Sequence, residues 1–259
     1  LIFRKVSRVL IDGDGKPDIA VVNALQNSLT ILANKANAPE ITGTSAIIAN
    51  KDSVITLTGS KLQNAIAVSF GGTPAKSFEV VSATEIKAVV DGGASGDIRV
   101  ITTSGVAIMG GFKFIPEVSA DEATNFCKGG SVTLASSAAV NNQWYRNDVI
   151  IQGAIGKSFT ATESGTYTVK TTSNGITTSS STGIAVDVIT IPKPVVTRSA
   201  ENNLVSSAAT GNQWYLNGVE LADANEQIYR PGVPGIYTVR SVSNGCTSDL
   251  SLPYNFDPT

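Results

Sequence analysis

The chain has 259 residues, 19 Lys and Arg against 21 Asp and Glu, a net charge of −2 and no histidine. That composition removes Ser-His-Asp and Cys-His catalysis and any histidine-ligated metal, and the absence of clustered basic residues argues against a nucleic-acid surface. Charged residues are 15%, against about 25% in an ordinary globular domain, and Ser, Thr, Asn and Gly fill the deficit, which suits short strands and tight turns.

No stretch reaches the 18 or more apolar residues of a membrane helix, so no membrane span is expected. The chain opens Leu1-Ile2-Phe3-Arg4-Lys5 with neither Met nor a signal-peptide pattern, and is read as the later part of a longer, processed protein.

Residues 1–37 carry an acidic loop, Asp12-Gly13-Asp14-Gly15-Lys16-Pro17-Asp18, followed by strand-like Ile19–Asn23 and Ser28–Leu32. Carboxylates at alternating positions around a glycine turn can surround one hard cation. Asp12, Asp14 and Asp18 would supply carboxylates and Lys16 its carbonyl, with Ca²⁺ as the expected ion. The segment resembles the end of an FG-GAP or VCBS-type β-propeller repeat. That family has a further carboxylate two residues before Asp12, where this chain has Leu10, so the resemblance implies a weaker site than usual. A propeller closes with about 4–8 blades, and this segment holds less than one.

Residues 38–116 read as all-β. Val54–Gly59 and Ile98–Thr102 are strand-like, and Val68-Ser69-Phe70-Gly71-Gly72-Thr73-Pro74-Ala75 runs from a strand into a Gly/Pro turn. With Pro39-Glu40-Ile41, Leu57-Thr58-Gly59, Ser95-Gly96 and Gly111-Phe112-Lys113-Phe114, the block resembles the IPT/TIG family of Ig-like modules. The departure is the loop after the first strand, which reads Ser45–Asn50 in place of a Pro/Gly-rich sequence.

The remainder is a duplication. Ser136-Ser137-Ala138-Ala139, Asn142-Gln143-Trp144-Tyr145 and Ser173-Asn174-Gly175 recur, 70 positions on, as Ser206–Ala209, Asn212–Tyr215 and Ser243–Gly245. Alternating Val132/Leu134 and Tyr167/Val169 mark half-buried strands, and Asn147-Asp148 and Asn217-Gly218 mark hairpin turns. Strands with turn signals every 8–12 residues indicate Ig-like sandwiches. The joint is expected at Ile191-Pro192-Lys193-Pro194, since proline is excluded from central strands. The fold class is therefore all-β: a string of Ig-like β-sandwiches at 38–116, 117–190 and 191–259, preceded by a fragment of a β-propeller-type repeat at 1–37.

Trp144 and Trp214 are expected in the two cores. Side chains alternate across a strand, so Tyr145 and Tyr215 face outward and are the candidates for ligand binding by ring stacking. Tyr167 and Tyr237, in Gly-x-Tyr-Thr-Val, are expected to form tyrosine corners. Asp121-Glu122 and the Asp91/Asp97 pair read as solvated acids at joints and turns, not as a glycosidase pair.

The two cysteines fall one in each repeat. Cys127 is equivalent to Thr197 and Cys246 to Ile176, so neither repeat can bridge internally. A 127–246 bridge needs Cα atoms within about 7 Å, and sandwiches set end to end would hold them apart. Two free thiols are expected.

The order of modules and the Asn-Gln-Trp-Tyr repeats resemble exported proteins of Bacteroidota, in which such arrays precede a sorting domain used by type IX secretion. In that group Asp-Ser/Thr-aliphatic sequences such as Asp52-Ser53-Val54 carry O-glycans. The resemblance implies an extracellular, non-catalytic adhesion or spacer array whose partner is a glycan or a surface protein. The alternatives are the accessory region of a glycan-degrading enzyme and a self-associating filament subunit joined through edge strands.

Overall fold

The computed structural model describes residues 6–9, 18–23, 28–32, 38–180 and 182–258. The described residues are all-β, in short antiparallel strands with two parallel pairings. Contacts divide the chain into two compact units. Unit 1 takes residues up to 119 with 134–159 and 166–184, and unit 2 takes 120–133, 160–165 and 185–259. The division therefore runs through the stretch 117–190.

In the N-terminal segment, strands Val6–Val9, Asp18–Asn23 and Ser28–Leu32 form an antiparallel sheet in that order. Ile19, Val22, Leu29, Ile31 and Leu32 are exposed on it.

The sandwich at 38–116 belongs wholly to unit 1. One sheet has the order Glu40–Thr44, Val54–Ser60, Glu85–Val89, Ser77–Ser82. The other runs Ile48–Ala49, Gly105–Phe114, Gly96–Thr102, Ala65–Phe70, Thr73–Pro74. The alternation seen in sequence is the alternation of burial. Ile98 and Val100 are buried while Arg99 and Ile101 face outward. Ile55, Leu57, Ile86 and Ala88 from the first sheet meet Val68, Phe70, Phe112 and Phe114 from the second in one core. Each such aliphatic or aromatic side chain contributes about 1.5–3 kcal/mol of burial.

Two motif glycines have a steric reason to be there. A Cβ on Gly59 would lie 1.9 Å from the Glu40 carbonyl oxygen. Gly71 has φ +58°, and a Cβ there would lie 1.8 Å from the Ala94 oxygen. No side chain fits either approach, which explains Leu57-Thr58-Gly59 and Phe70-Gly71-Gly72 as sequence motifs.

The duplication is repeated in three dimensions at the same offset. In unit 1, Asn142–Arg146 pairs with Gly165–Ser173 so that Trp144 faces Val169 and Arg146 faces Tyr167. In unit 2, Asn212–Leu216 pairs with Gly235–Ser243 so that Trp214 faces Val239 and Leu216 faces Tyr237. Both Trp side chains are 0% exposed. Their indole N–H groups donate to the carbonyls of Gly156 and Glu226, each at 2.9 Å. A buried indole without that acceptor would carry a desolvation cost of about 1–3 kcal/mol. Ring contacts extend the core from Trp144 through Phe159 to Tyr167, and from Trp214 through Tyr229 and Tyr237 to Phe256. The Tyr237 hydroxyl donates to the Val233 carbonyl at 2.9 Å, closing the expected tyrosine corner in unit 2.

The turns follow from two consecutive positive φ values, the condition for a type I′ hairpin. Asn147 and Asp148 have φ 49° and 63°, and Asn217 and Gly218 have 50° and 82°. Asn147 Oδ1 accepts from the Thr166 amide at 2.8 Å, and Asn217 Oδ1 from the Ile236 amide at 2.9 Å. The asparagine thus sets the turn and pins it to the neighbouring strand.

The cysteines depart from expectation. Cys127 and Cys246 are joined in a disulfide with Cα atoms 5.3 Å apart, inside unit 2. The strand Asn125–Cys127 runs parallel to Asp187–Ile189, and the Lys128 amide donates to the Ile189 carbonyl at 2.9 Å. Cys127 therefore lies beside the point where the chain leaves the first repeat. The hairpin Ser243–Cys246 of the second repeat meets it there. The register arithmetic identified the missing intra-repeat partners correctly. The free-thiol expectation failed because the bridge joins the two repeats, each supplying its single cysteine.

Two measurements check these cores. Trp214→Ala should destabilise unit 2 by about 3–5 kcal/mol, read as a lower denaturant midpoint for amide exchange in residues 196–256 with little change in 38–116. Peptide mapping without reductant should yield one 127–246 cross-linked pair. Reduction should then lower the stability of unit 2 by about 2–5 kcal/mol, because the bond closes a long loop in the unfolded chain.

Candidate functional site

The repeated tetrapeptide Asn-Gln-Trp-Tyr is the strongest internal motif, so each of its side chains needs an assignment. Asn142 and Asn212 are buried and donate through Nδ2 to the carbonyls of Ala138 and Ala208. Gln143 donates to the Ile151 carbonyl at 2.8 Å, and Gln213 to the Leu221 carbonyl at 2.7 Å, holding the loop after the Trp strand. The tryptophans fill the cores. The tyrosines lie on the face opposite the tryptophans, which strand alternation makes them share with Gln143 and Gln213.

Their surroundings differ. Tyr145 is half-buried, with Lys170 Nζ 4.5 Å from its ring centroid. Tyr215 is 8% exposed, with the Arg240 guanidinium 5.2 Å from its centroid. The Tyr215 hydroxyl contacts Glu220 Oε2 at 3.2 Å, and Arg240 reaches the same carboxylate at 3.8 Å. Burial pushes the Tyr215 phenol above its ordinary value, and the charge of Arg240 pulls the other way. In the first repeat Ile150 stands opposite Tyr145 where Glu220 stands opposite Tyr215. The polar anchor of the second tyrosine is thus absent from the first repeat's pairing. Tyr145 keeps more free ring than Tyr215, whose ring is nearly covered. The two tyrosines lie in different compact units.

Of the acidic-loop residues, Asp12, Asp14 and Lys16 lie outside the described residues. Asp18 begins the strand Asp18–Asn23 and is 0% exposed. Among the described residues no group of three or more His, Cys, Asp or Glu is arranged to hold a metal ion.

Sequence reasoning did not find a polar groove of unit 1, about 680 Å³ in volume, walled by Lys51, Asp52, Asp91, Glu117 and Lys157. Its carboxylates are held in place. Asp52 pairs with Lys76 at 2.5 Å, which keeps the carboxyl below its usual value. Asn50 donates to Glu117 Oε1, and the Gly92 amide donates to Asp91 Oδ1 at 2.7 Å. The walls come from residues 51–92 and from 117–182, so no local pattern announces them. A second groove of about 530 Å³ is lined by Ser69, Asp97, Arg99 and Asn174, with Arg99 bonded to Asp97 at 3.2 Å. In unit 2 a smaller apolar groove of about 250 Å³ lies among Pro194, Val195, Leu252, Pro253 and Tyr254.

Comparison with known proteins adds the following. Residues 39–112 match the IPT/TIG domain family, the resemblance expected for 38–116. No curated protein matches the chain. Among solved structures, the N-terminal eight Ig domains of Down Syndrome Cell Adhesion Molecule align with 93% of this chain and 40% of that one, at 10% identity and TM-score 0.38. A structure solved with a xylogluco-oligosaccharide aligns with 83% of this chain and 60% of that one, at 17% identity and TM-score 0.30. SGBP-B from a complex xyloglucan utilization locus in Bacteroides uniformis aligns with 79% of this chain and 62% of that one, at 13% identity and TM-score 0.27. The chain spans less than two thirds of the length of each of these three.

Proposed function

We propose that the chain is a non-catalytic extracellular array that spaces and presents a binding surface for a glycan or a surface protein. The observation that carries this reading is the Cys127–Cys246 disulfide. Structural disulfides persist in oxidising compartments, and this one fastens one repeat to the next and bridges no catalytic cleft. The side chains of the repeated motif are committed to cores, turns and loop anchors, which is the economy of a scaffold. No helix among the described residues is long and apolar enough to cross a membrane.

Binding is assigned to unit 1, through Tyr145 and the polar groove at Asp91 and Glu117. Sugar hydroxyls are met by fixed carboxylates and amides, and a sugar ring by an open aromatic face. Tyr215 is the internal control: it is buried and its hydroxyl is held on Glu220, whereas Tyr145 is half-buried and has Ile150 in the equivalent place, each ring carrying one cation.

On a microarray of bacterial and plant glycans the full chain should retain a defined set of ligands. Tyr145→Ala, or Asp91→Ala with Glu117→Ala, should weaken that binding about tenfold, equivalent to roughly 1.4 kcal/mol. Tyr215→Ala should leave it unchanged. Equal losses for Tyr145→Ala and Tyr215→Ala, with both proteins folded, would reject the assignment.

Calcium is proposed for the acidic loop, with Asp12, Asp14 and Asp18 as carboxylate ligands and Lys16 as the carbonyl ligand. The buried carboxylate of Asp18 is consistent with such a place. Leu10 removes one ligand, so the dissociation constant should fall in the weak extracellular range of about 10⁻⁴–10⁻³ M. Calorimetric titration should show one such site, lost in Asp14→Asn.

A further inference from the structure

We infer that the Cys127–Cys246 bond turns the chain into a load-bearing tether in which tension bypasses residues 128–245, the central strands of both repeats. The inference deepens the spacer reading and rests on it for its use.

The argument is topological. The bond joins positions 119 residues apart. A pull entering through residues before Cys127 and leaving through residues after Cys246 passes across Sγ–Sγ. Residues 128–245 then lie in a closed loop that carries no tension. That loop contains both Trp strands, Asn142–Arg146 and Asn212–Leu216, and both long strands paired with them. It also contains the proline joint at 191–194. The central strands of both Ig-like cores are therefore shielded by one covalent bond.

The placement of the cysteines suits this use better than the usual alternative. A bridge inside each repeat would shield only the residues it encloses and would leave the joint under load. Here each repeat supplies one cysteine at the shared end, and the joint itself is enclosed. The strand Asn125–Cys127 feeds the bond directly, held in parallel against Asp187–Ile189. On the far side, Cys246 starts the short strand Cys246–Thr247, paired to the long strand Gly235–Ser243.

What remains exposed to load is also defined. The sandwich at 38–116 lies outside the loop, and apart from the backbone its contacts with the first repeat are non-covalent. Asn174 Nδ2 donates to the Ser95 carbonyl at 2.9 Å, and Thr178 Oγ1 to the Phe114 carbonyl at 2.6 Å. Beyond Cys246, the strand Tyr254–Phe256 pairs with Gly235–Tyr237 and Phe256 fills the core of unit 2. Under rising force the 38–116 sandwich, residues 117–126 and this last strand yield, and residues 128–245 stay out of the load path.

The test is single-molecule stretching of the full chain through handles at its two ends. An extended residue spans at most about 3.3–3.6 Å, so the loop hides about 40 nm. The oxidised chain should reach full extension about 40 nm short of the chain reduced with a phosphine. Reductant added to an oxidised molecule held under force should release that length in a discrete late event. Cys127→Ser should behave as the reduced chain, and the reductant experiment stands in for it if that variant misfolds. Equal total extension with and without reductant would overturn the inference. A chain that passes this test yet binds nothing on a glycan or protein array would count against the binding reading alone.

Discussion

The structure depends on how a Ser-Asn-Gly hairpin in each repeat reaches back to the sandwich before it. Both hairpins have the same backbone: Asn174 and Gly175 at φ 51° and 75°, Asn244 and Gly245 at 50° and 76°. A type I′ turn is short and stiff, so it presents its tip at a fixed place. In the first repeat that tip meets residues 95 and 96, with the Asn174 amide on the Ser95 carbonyl. In the second repeat the residue after the turn is cysteine, and the contact becomes covalent. The same device gives a polar clasp in unit 1 and a permanent one in unit 2.

The clasp also explains how few side chains are left for recognition. Within Asn-Gln-Trp-Tyr, three of the four residues are spent on backbone carbonyls and the core. In the second repeat even the tyrosine is drawn in, by Arg240 above its ring and Glu220 at its hydroxyl. Under the proposed reading recognition falls to loops, where the carboxylates of the unit 1 groove are bonded by Lys76, Asn50 and the Gly92 amide. Preorganised polar groups of this kind lose little freedom on binding. A polar groove on a rigid sandwich suits a hydroxylated ligand.

Sequence and structure agree where the physics is local. Period-2 alternation marked the buried faces at Val132/Leu134 and Tyr167/Val169, Asn-Gly and Asn-Asp pairs marked the hairpins, and the 70-residue offset marked matching registers at Trp144 and Trp214. The outward direction of Tyr215 was legible as well, but its burial was not, because Arg240 reaches it across the strand pairing. Joints were not legible at all. The disulfide, the Asn174–Ser95 contact and the groove at Asp91 and Glu117 each combine residues more than 20 positions apart from different modules. Their geometry depends on how one sandwich seats on another, and no hydrophobic period encodes that. The free-thiol expectation failed for this reason: it assumed an end-to-end separation that the back-reaching hairpin removes.

The loss of intra-repeat cysteines then has a physical reading. In antibody-type sandwiches a disulfide lies against the central tryptophan. Here Leu204, Trp214 and Val239 share one core with Tyr237 and Phe256, and Val239 holds the place two residues after the corner tyrosine where the second cysteine would be. An aliphatic side chain fills that space and supplies its own burial, about 1.5–3 kcal/mol. Closed by side chains alone, the core has no need of a bridge. A cross-link inside one repeat would close a shorter loop in the unfolded chain. The same bond placed between repeats closes a loop of more than a hundred residues, and the entropic stabilisation rises with loop length. One bond at the joint therefore constrains more of the unfolded chain than one inside either repeat, and it also sets where load can travel.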